Sequence, residues 1–194
     1  MTTDPAHPSA FAQDYRTRAE AIAHLVAGAT EQDWSAPSPC ERWNALDVLS
    51  HMRDTQRDFL AGHDLEPPSP PLEAVPEVAW RVHTDHVENL LRDPEVRDRG
   101  YDGYFGPTTI GETVAQFYGW DMLVHRWDIG MAMHRDPQLS EADLDAIERD
   151  LAMFGEALYA PGICAPPVEV GPGASRTEQV MARLGRHPRA AAAS

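Results

Sequence analysis

Helical periodicity dominates the spacing of apolar residues in this chain, and no convincing run alternates apolar with polar residues as a half-buried strand does. That property constrains the fold most. It directs the chain to helices packed on helices, an all-α architecture with no sheet beyond a short strand pair. Capping signals set the helix starts. A first helix is expected from Ala10 to about Val26. A second runs from Asn44 to about Ala61, where Asn44 and Asp47 have capping-box spacing and Trp43 is positioned to staple onto Val48. A third runs from Glu77 to Leu91 and stops before Pro94. A fourth opens with Thr109 and Glu112 and continues to about Met133. A fifth opens with Ser140 and Asp143 and reaches about Leu158, and a short one covers roughly 176–184. Between them, DLEPPSPPLEAVP at 64–76 reads as a linker because its prolines exclude helix and central strand. Residues 93–107, rich in Gly, Asp and Tyr, read as a loop, as does YAPGICAPPVEVGPG. The expected organisation is one helical-bundle domain over residues 1–186 with a tail at 187–194.

Within the fourth helix, WDMLVHRWDIG at 120–130 is mostly apolar but carries Asp121, His125 and Asp128. Positions four apart stack on one helix face. The inner face then reads Val114, Phe117, Asp121, Val124, His125 and Asp128. A carboxylate in such a stripe needs compensation, because burying it alone costs several kcal/mol. Three arrangements supply it. One is a plain hydrogen bond between Asp121 and His125. The second is a carboxylate-oriented histidine acting as general base. The third is a metal, since imidazole and carboxylate are both first-row metal ligands.

A metal needs a third ligand, and His51, in NALDVLSHMRD, is the candidate on the second helix. Two histidines and one carboxylate leave coordination positions open, the pattern of a catalytic site. Of the other histidines, His83 and His86 are expected at exposed or boundary positions, and His24, His63, His134 and His187 in solvent near helix ends or in loops. Cys40, in SPSPCERW, is read as a packing residue with thiol chemistry as the alternative. Asp47 is read as a helix cap and Asp128 as a hydrogen-bonding partner for backbone or ligand.

Charge and composition remove whole classes of function. The net charge of −15 opposes nucleic acid and anionic membranes as partners. All 16 basic residues are arginine, which excludes Schiff-base, pyridoxal-phosphate and P-loop lysines. There is no G-x-S-x-G, C-x-x-C or H-E-x-x-H. No apolar stretch approaches the roughly 18 residues of a membrane span. MTTDPAHPSA has neither a basic start nor an apolar core, so no signal peptide is expected and a cytoplasmic location is. Two cysteines make no disulfide framework, which agrees with reduced thiols.

The stretch SPCERWNALDVLSHM resembles the "PCxGWTVRDVxxHL" segment of the mycothiol-dependent maleylpyruvate isomerase N-terminal domain, within the DinB-like metal-binding superfamily. WDMLVHRWDIGMAMHRD is similar to that family's second segment, and VMARLGRHP resembles a closing "LLAxLGRxP" motif. The resemblance implies a four-helix bundle, here with extra C-terminal helices and long loops, that holds one divalent ion. Carried across by position, its ligands are His51, Asp121 and His125. The implied ion is zinc first, with nickel, iron or manganese as alternatives. The implied function is a metal-dependent thiol transferase or isomerase of mycothiol type, with a metal-dependent hydrolase or a non-catalytic metal-binding module as alternatives. A small-molecule thiol or substrate is the expected partner, arginines near the open face can bind its carboxylates, and a homodimer stays open.

Overall fold

The computed structural model describes residues 9–65, 75–160 and 163–187. Most of the 64–76 linker and most of the 187–194 tail expected from sequence lie outside the described residues. The rest is mostly α-helical, with one small two-stranded sheet. The helices are α1 (Ala10–Leu25), α2 (Glu31–Ser35), α3 (Ala45–Ala61), α4 (Pro76–Arg92), α5 (Pro94–Arg97), α6 (Ile110–Thr113), α7 (Gly119–Ala132), α8 (Glu141–Phe154) and α9 (Arg176–Arg183). The expected capping boxes form. Asn44 N donates to Asp47 Oδ2 at 2.9 Å and Asp47 N to Asn44 Oδ1 at 2.8 Å. Thr109 with Glu112 and Ser140 with Asp143 cap α6 and α8 reciprocally. Thr30 with Asp33 and Ser175 with Glu178 do the same for α2 and α9.

The chain divides into two compact units, residues 1–27 with 49–122 and residues 28–48 with 123–194. Helices α3 and α7 are therefore each shared, the divisions falling after Val48 and after Met122. In the first unit four helical segments are joined by buried polar bonds as well as apolar packing. Trp80 Nε1 on α4 donates to Ala19 O on α1 at 3.1 Å, and Tyr15 OH on α1 donates to Gln56 Oε1 on α3 at 2.7 Å. Gln56 Oε1 also lies 3.0 Å from His83 Nε2 on α4. Tyr118 OH reaches Thr55 O on α3 at 3.2 Å. Ile22, Met52, Leu60, Leu91, Ile110 and Met122 of this unit are each fully buried.

Two local expectations are corrected here. Residues 93–107 are not all loop. Pro94–Arg97 is a helical turn, and Gly100–Gly103 (β1) pairs antiparallel with Gly106–Thr109 (β2). Four-residue strands this rich in glycine carry too little periodicity to stand out in a sequence. Phe117 is not on the inner face; it is 46% exposed. Between α6 and α7 the helix widens into a π-helical turn, Val114–Tyr118. The wider turn breaks the 3.6-residue phase, so the buried stripe passes from Val114 to Tyr118 rather than to Phe117.

In the second unit, every residue of α7 from Leu123 to Gly130 is buried, His125, Arg126 and Asp128 included. Arg126 is accommodated there because its Nη2 donates to Asp143 Oδ2, at the start of α8, at 2.7 Å. Also buried in this unit are Trp34 of α2, Leu144 and Ile147 of α8, Met181 of α9 and Leu184 just after it. No helix among the described residues is long and apolar enough to cross a membrane.

Candidate metal centre

Three ligand-type side chains project from α7: Asp121, His125 and Asp128. In the first unit, His51 on α3 faces Asp121 at the start of α7. Their nearest atoms, Nε2 and Oδ2, stand 3.9 Å apart, with the two side chains 31% and 14% exposed. That separation is beyond hydrogen-bond reach. It suits two donors that share an ion more than two groups bonded to each other. His125 follows Asp121 by four residues on the same uninterrupted helix, so the two project from one face.

His125 is fixed by the second unit. Its Nδ1 lies 2.8 Å from Asp128 Oδ2, one turn further along α7. Asp128 is thus one hydrogen-bonding partner of His125 within its own helix. An ionised carboxylate only accepts, so Nδ1 carries the hydrogen, and in the neutral ring Nε2 is then the nitrogen with the lone pair. Metal-binding histidines show this pattern, with one ring nitrogen on the ion and the other held by a carboxylate.

Asp128 is completely buried, and it is satisfied from three sides. Arg186 donates from Nε to Oδ1 at 3.3 Å and from Nη2 to Oδ2 at 3.0 Å. Cys40 Sγ donates to Oδ2 at 3.1 Å. Burial alone would push the carboxyl up. The Arg186 guanidinium and the His125 imidazole outweigh it and hold Asp128 well below the usual carboxylate range. Burial likewise opposes the charge on Arg186, and Asp128 overcomes it and raises the guanidinium further. Cys164, 3.6 Å from Arg186 Nη1, has its thiol pushed up by burial, with Arg186 working against that.

Sequence reasoning placed Asp128 as a partner and passed over Arg186. Its signal was the Gly-Arg pair of VMARLGRHP, the stretch that resembles the closing motif, and nothing local shows that this arginine turns inward. Cys40 packs as expected and lies 3.9 Å from His125 Nδ1. Cys40, His125 and Asp128 bring ligand atoms within 4.8 Å of one another, yet the cation beside them is Arg186. His83 departs from expectation. It is 1% exposed and bonded to Gln56, so it belongs to the core of the first unit. His86 is at a boundary, and His24, His134 and His187 are exposed. His63 is half-buried, its ring 4.5 Å from that of Tyr101 and 4.7 Å from that of Phe59. Arg126 and Arg186, both buried on carboxylates, are not the substrate-binding arginines foreseen at the open face.

The family described as mycothiol maleylpyruvate isomerase N-terminal domain matches residues 15–79. That segment contains His51 and ends before Asp121 and His125. No curated protein matches the chain, and no solved structure does.

Proposed function

We propose that this protein binds one divalent ion, zinc first, through His51, Asp121 and His125, and uses it in a thiol transferase or isomerase reaction with a low-molecular-weight thiol of mycothiol type. The observation that carries the reading is the 3.9 Å gap between His51 Nε2 and Asp121 Oδ2, with His125 one turn along the same helix. The donor set supports it, since two imidazoles and a carboxylate suit a first-row divalent ion and leave positions open. So does the tautomer of His125, which the Asp128 bond directs towards a ligand role. The thiol comes from the family match over residues 15–79.

When bound, the ion would lower the pKa of a coordinated thiol and make it a nucleophile near neutral pH. The chain's own contribution is positional. Asp128 keeps the proton on His125 Nδ1, and Tyr118, bonded to Thr55 O on α3, borders the start of α7. Burial, the nearby Asp121 charge and Tyr101 raise the Tyr118 hydroxyl well above its ordinary value, so it stays a neutral donor.

The test is metal content followed by thiol titration. His51→Ala, Asp121→Ala and His125→Ala are each expected to purify and reconstitute with little metal, whereas His134→Ala retains a full equivalent by elemental analysis. In the cobalt-substituted protein, an added low-molecular-weight thiol is expected to introduce a sulfur-to-metal charge-transfer band. Full occupancy in His51→Ala, or no binding after reconstitution with zinc, nickel, iron and manganese, overturns the metal reading. Metal binding with no thiol-dependent band overturns the thiol reading and leaves water as the nucleophile.

A further inference from the structure

We propose that Arg186 is a positioning residue for His125, acting through Asp128, so that the turn after α9 sets the tautomer and aim of a metal ligand. The proposal rests on the metal-binding reading for its consequence, but its geometry stands in the second unit alone. Arg186 Nε and Nη2 meet the two oxygens of Asp128 as a fork, which fixes the plane of the carboxylate. Oδ2 then accepts from His125 Nδ1. Arg186, Asp128 and His125 are 7%, 0% and 6% exposed, so the three groups meet away from bulk solvent. The remaining guanidinium nitrogen is held as well, with Nη1 donating to Leu184 O at 2.9 Å.

The backbone is built to deliver this side chain inward. Gly185 N donates to Ala182 O at 3.0 Å and Arg186 N to Met181 O at 3.1 Å, the two bonds of a Schellman turn. Gly185 has φ +76°, a conformation that favours glycine. A Cβ there would stand 2.6 Å from Ala165 Cβ and 2.7 Å from Ala165 O, so nothing larger than glycine fits the turn. The chain thus reverses at Gly185 and points Arg186 at Asp128 rather than into solvent.

A second metal site is the competing use of the Cys40, His125 and Asp128 cluster. Arg186 argues against it. Its Nη2 lies 3.4 Å from Cys40 Sγ and 3.0 Å from Asp128 Oδ2, so a buried cation already stands where an ion would need to be.

The test reads the His125 ring in the metal-free protein and zinc affinity separately. Nitrogen-15 NMR of the imidazole, assigned with His125→Gln, is expected to show hydrogen on Nδ1 in the native chain. In Arg186→Met the ring is expected to shift to a mixed or Nε2–H tautomer, and zinc affinity by chelator competition to fall about 10- to 100-fold. Arg186→Lys keeps charge without the fork and is expected to lose affinity severalfold, less than methionine. Arg126→Met removes an equally buried arginine next to His125, and is expected to lower the Tm with tautomer and affinity unchanged. An unchanged tautomer with affinity within twofold in Arg186→Met overturns the proposal, as does the same result in Arg186→Lys if the methionine variant does not fold. An equal loss in Arg126→Met also overturns it. If the native chain binds no zinc, the metal reading fails while the tautomer measurement still decides the role of Arg186.

Discussion

His83 lies 1% exposed between α3 and α4, its Nε2 on Gln56 Oε1. Burial, helped by the nearby charges of Arg57 and Arg53, pushes this imidazole from its ordinary 6.5 down to about 3. The sign of the consequence is fixed. Below about pH 6.5 the unfolded chain takes up a proton that the folded chain refuses until about pH 3. The folded state is therefore favoured above this window and loses stability as pH falls through it, by at most about 1.4 kcal/mol per pH unit from one proton. Urea melts at pH 7, 5 and 4 should show that slope, and His83→Gln should flatten it. An equal slope in both proteins would mean that other groups carry the acid sensitivity. His83 also marks a limit of local reading. A histidine in WRVHTDHVENL is compatible with either face of a helix, and only the packing of α4 on α3 turns it inward.

At the scale of elements, capping chemistry and backbone irregularity make separate predictions. Asp47 satisfies the Asn44 amide at the start of α3, so Asp47→Ala should cost about 1 kcal/mol. Differential scanning calorimetry should show the lower Tm, with metal content unchanged. A normal Tm with lost metal would reverse the role assigned to Asp47. The π-helical turn supplies the second case. Arg18 Nη1 donates to Ala115 O within it at 3.0 Å, and a Cβ on Gly119 would stand 2.0 Å from that nitrogen. Replacing glycine by alanine inside a helix ordinarily gains about 0.5–1 kcal/mol. Here Gly119→Ala should gain none of it, because the new methyl displaces Arg18. In an Arg18→Ala background the gain should return. Chemical denaturation of the four proteins of this cycle checks the coupling, and equal effects of Gly119→Ala in both backgrounds would refute it. The capping boxes at Asn44, Thr109 and Ser140 were legible because their partners are three residues apart. The widened turn was not, and one of its carbonyls is bonded from α1, almost a hundred residues earlier in the chain.

For the whole molecule, the metal reading predicts linkage between ion and stability. An ion that binds only the folded chain adds about 2.7 kcal/mol at a free concentration one hundred times its Kd. The Tm should therefore rise with added zinc in the native chain and stay flat in His51→Ala. A flat response in both would separate the three residues from any shared ion.

What the sequence determined by itself is what neighbours on one chain can encode. Helix was written in the spacing of apolar residues, helix starts in pairs three apart, and the common face of Asp121 and His125 in their four-residue separation. The −15 charge and the absence of lysine set the classes of partner and chemistry against which the site is read. Tertiary structure decided everything that depends on residues distant in the chain. It placed His51 beside Asp121 across 70 positions. It also brought Arg186 to Asp128 from 58 residues away. The physical reason is burial. A charge such as Asp128 can sit in a core only if counter-charges converge on it, and which residues converge is settled by how the elements pack, not by local spacing.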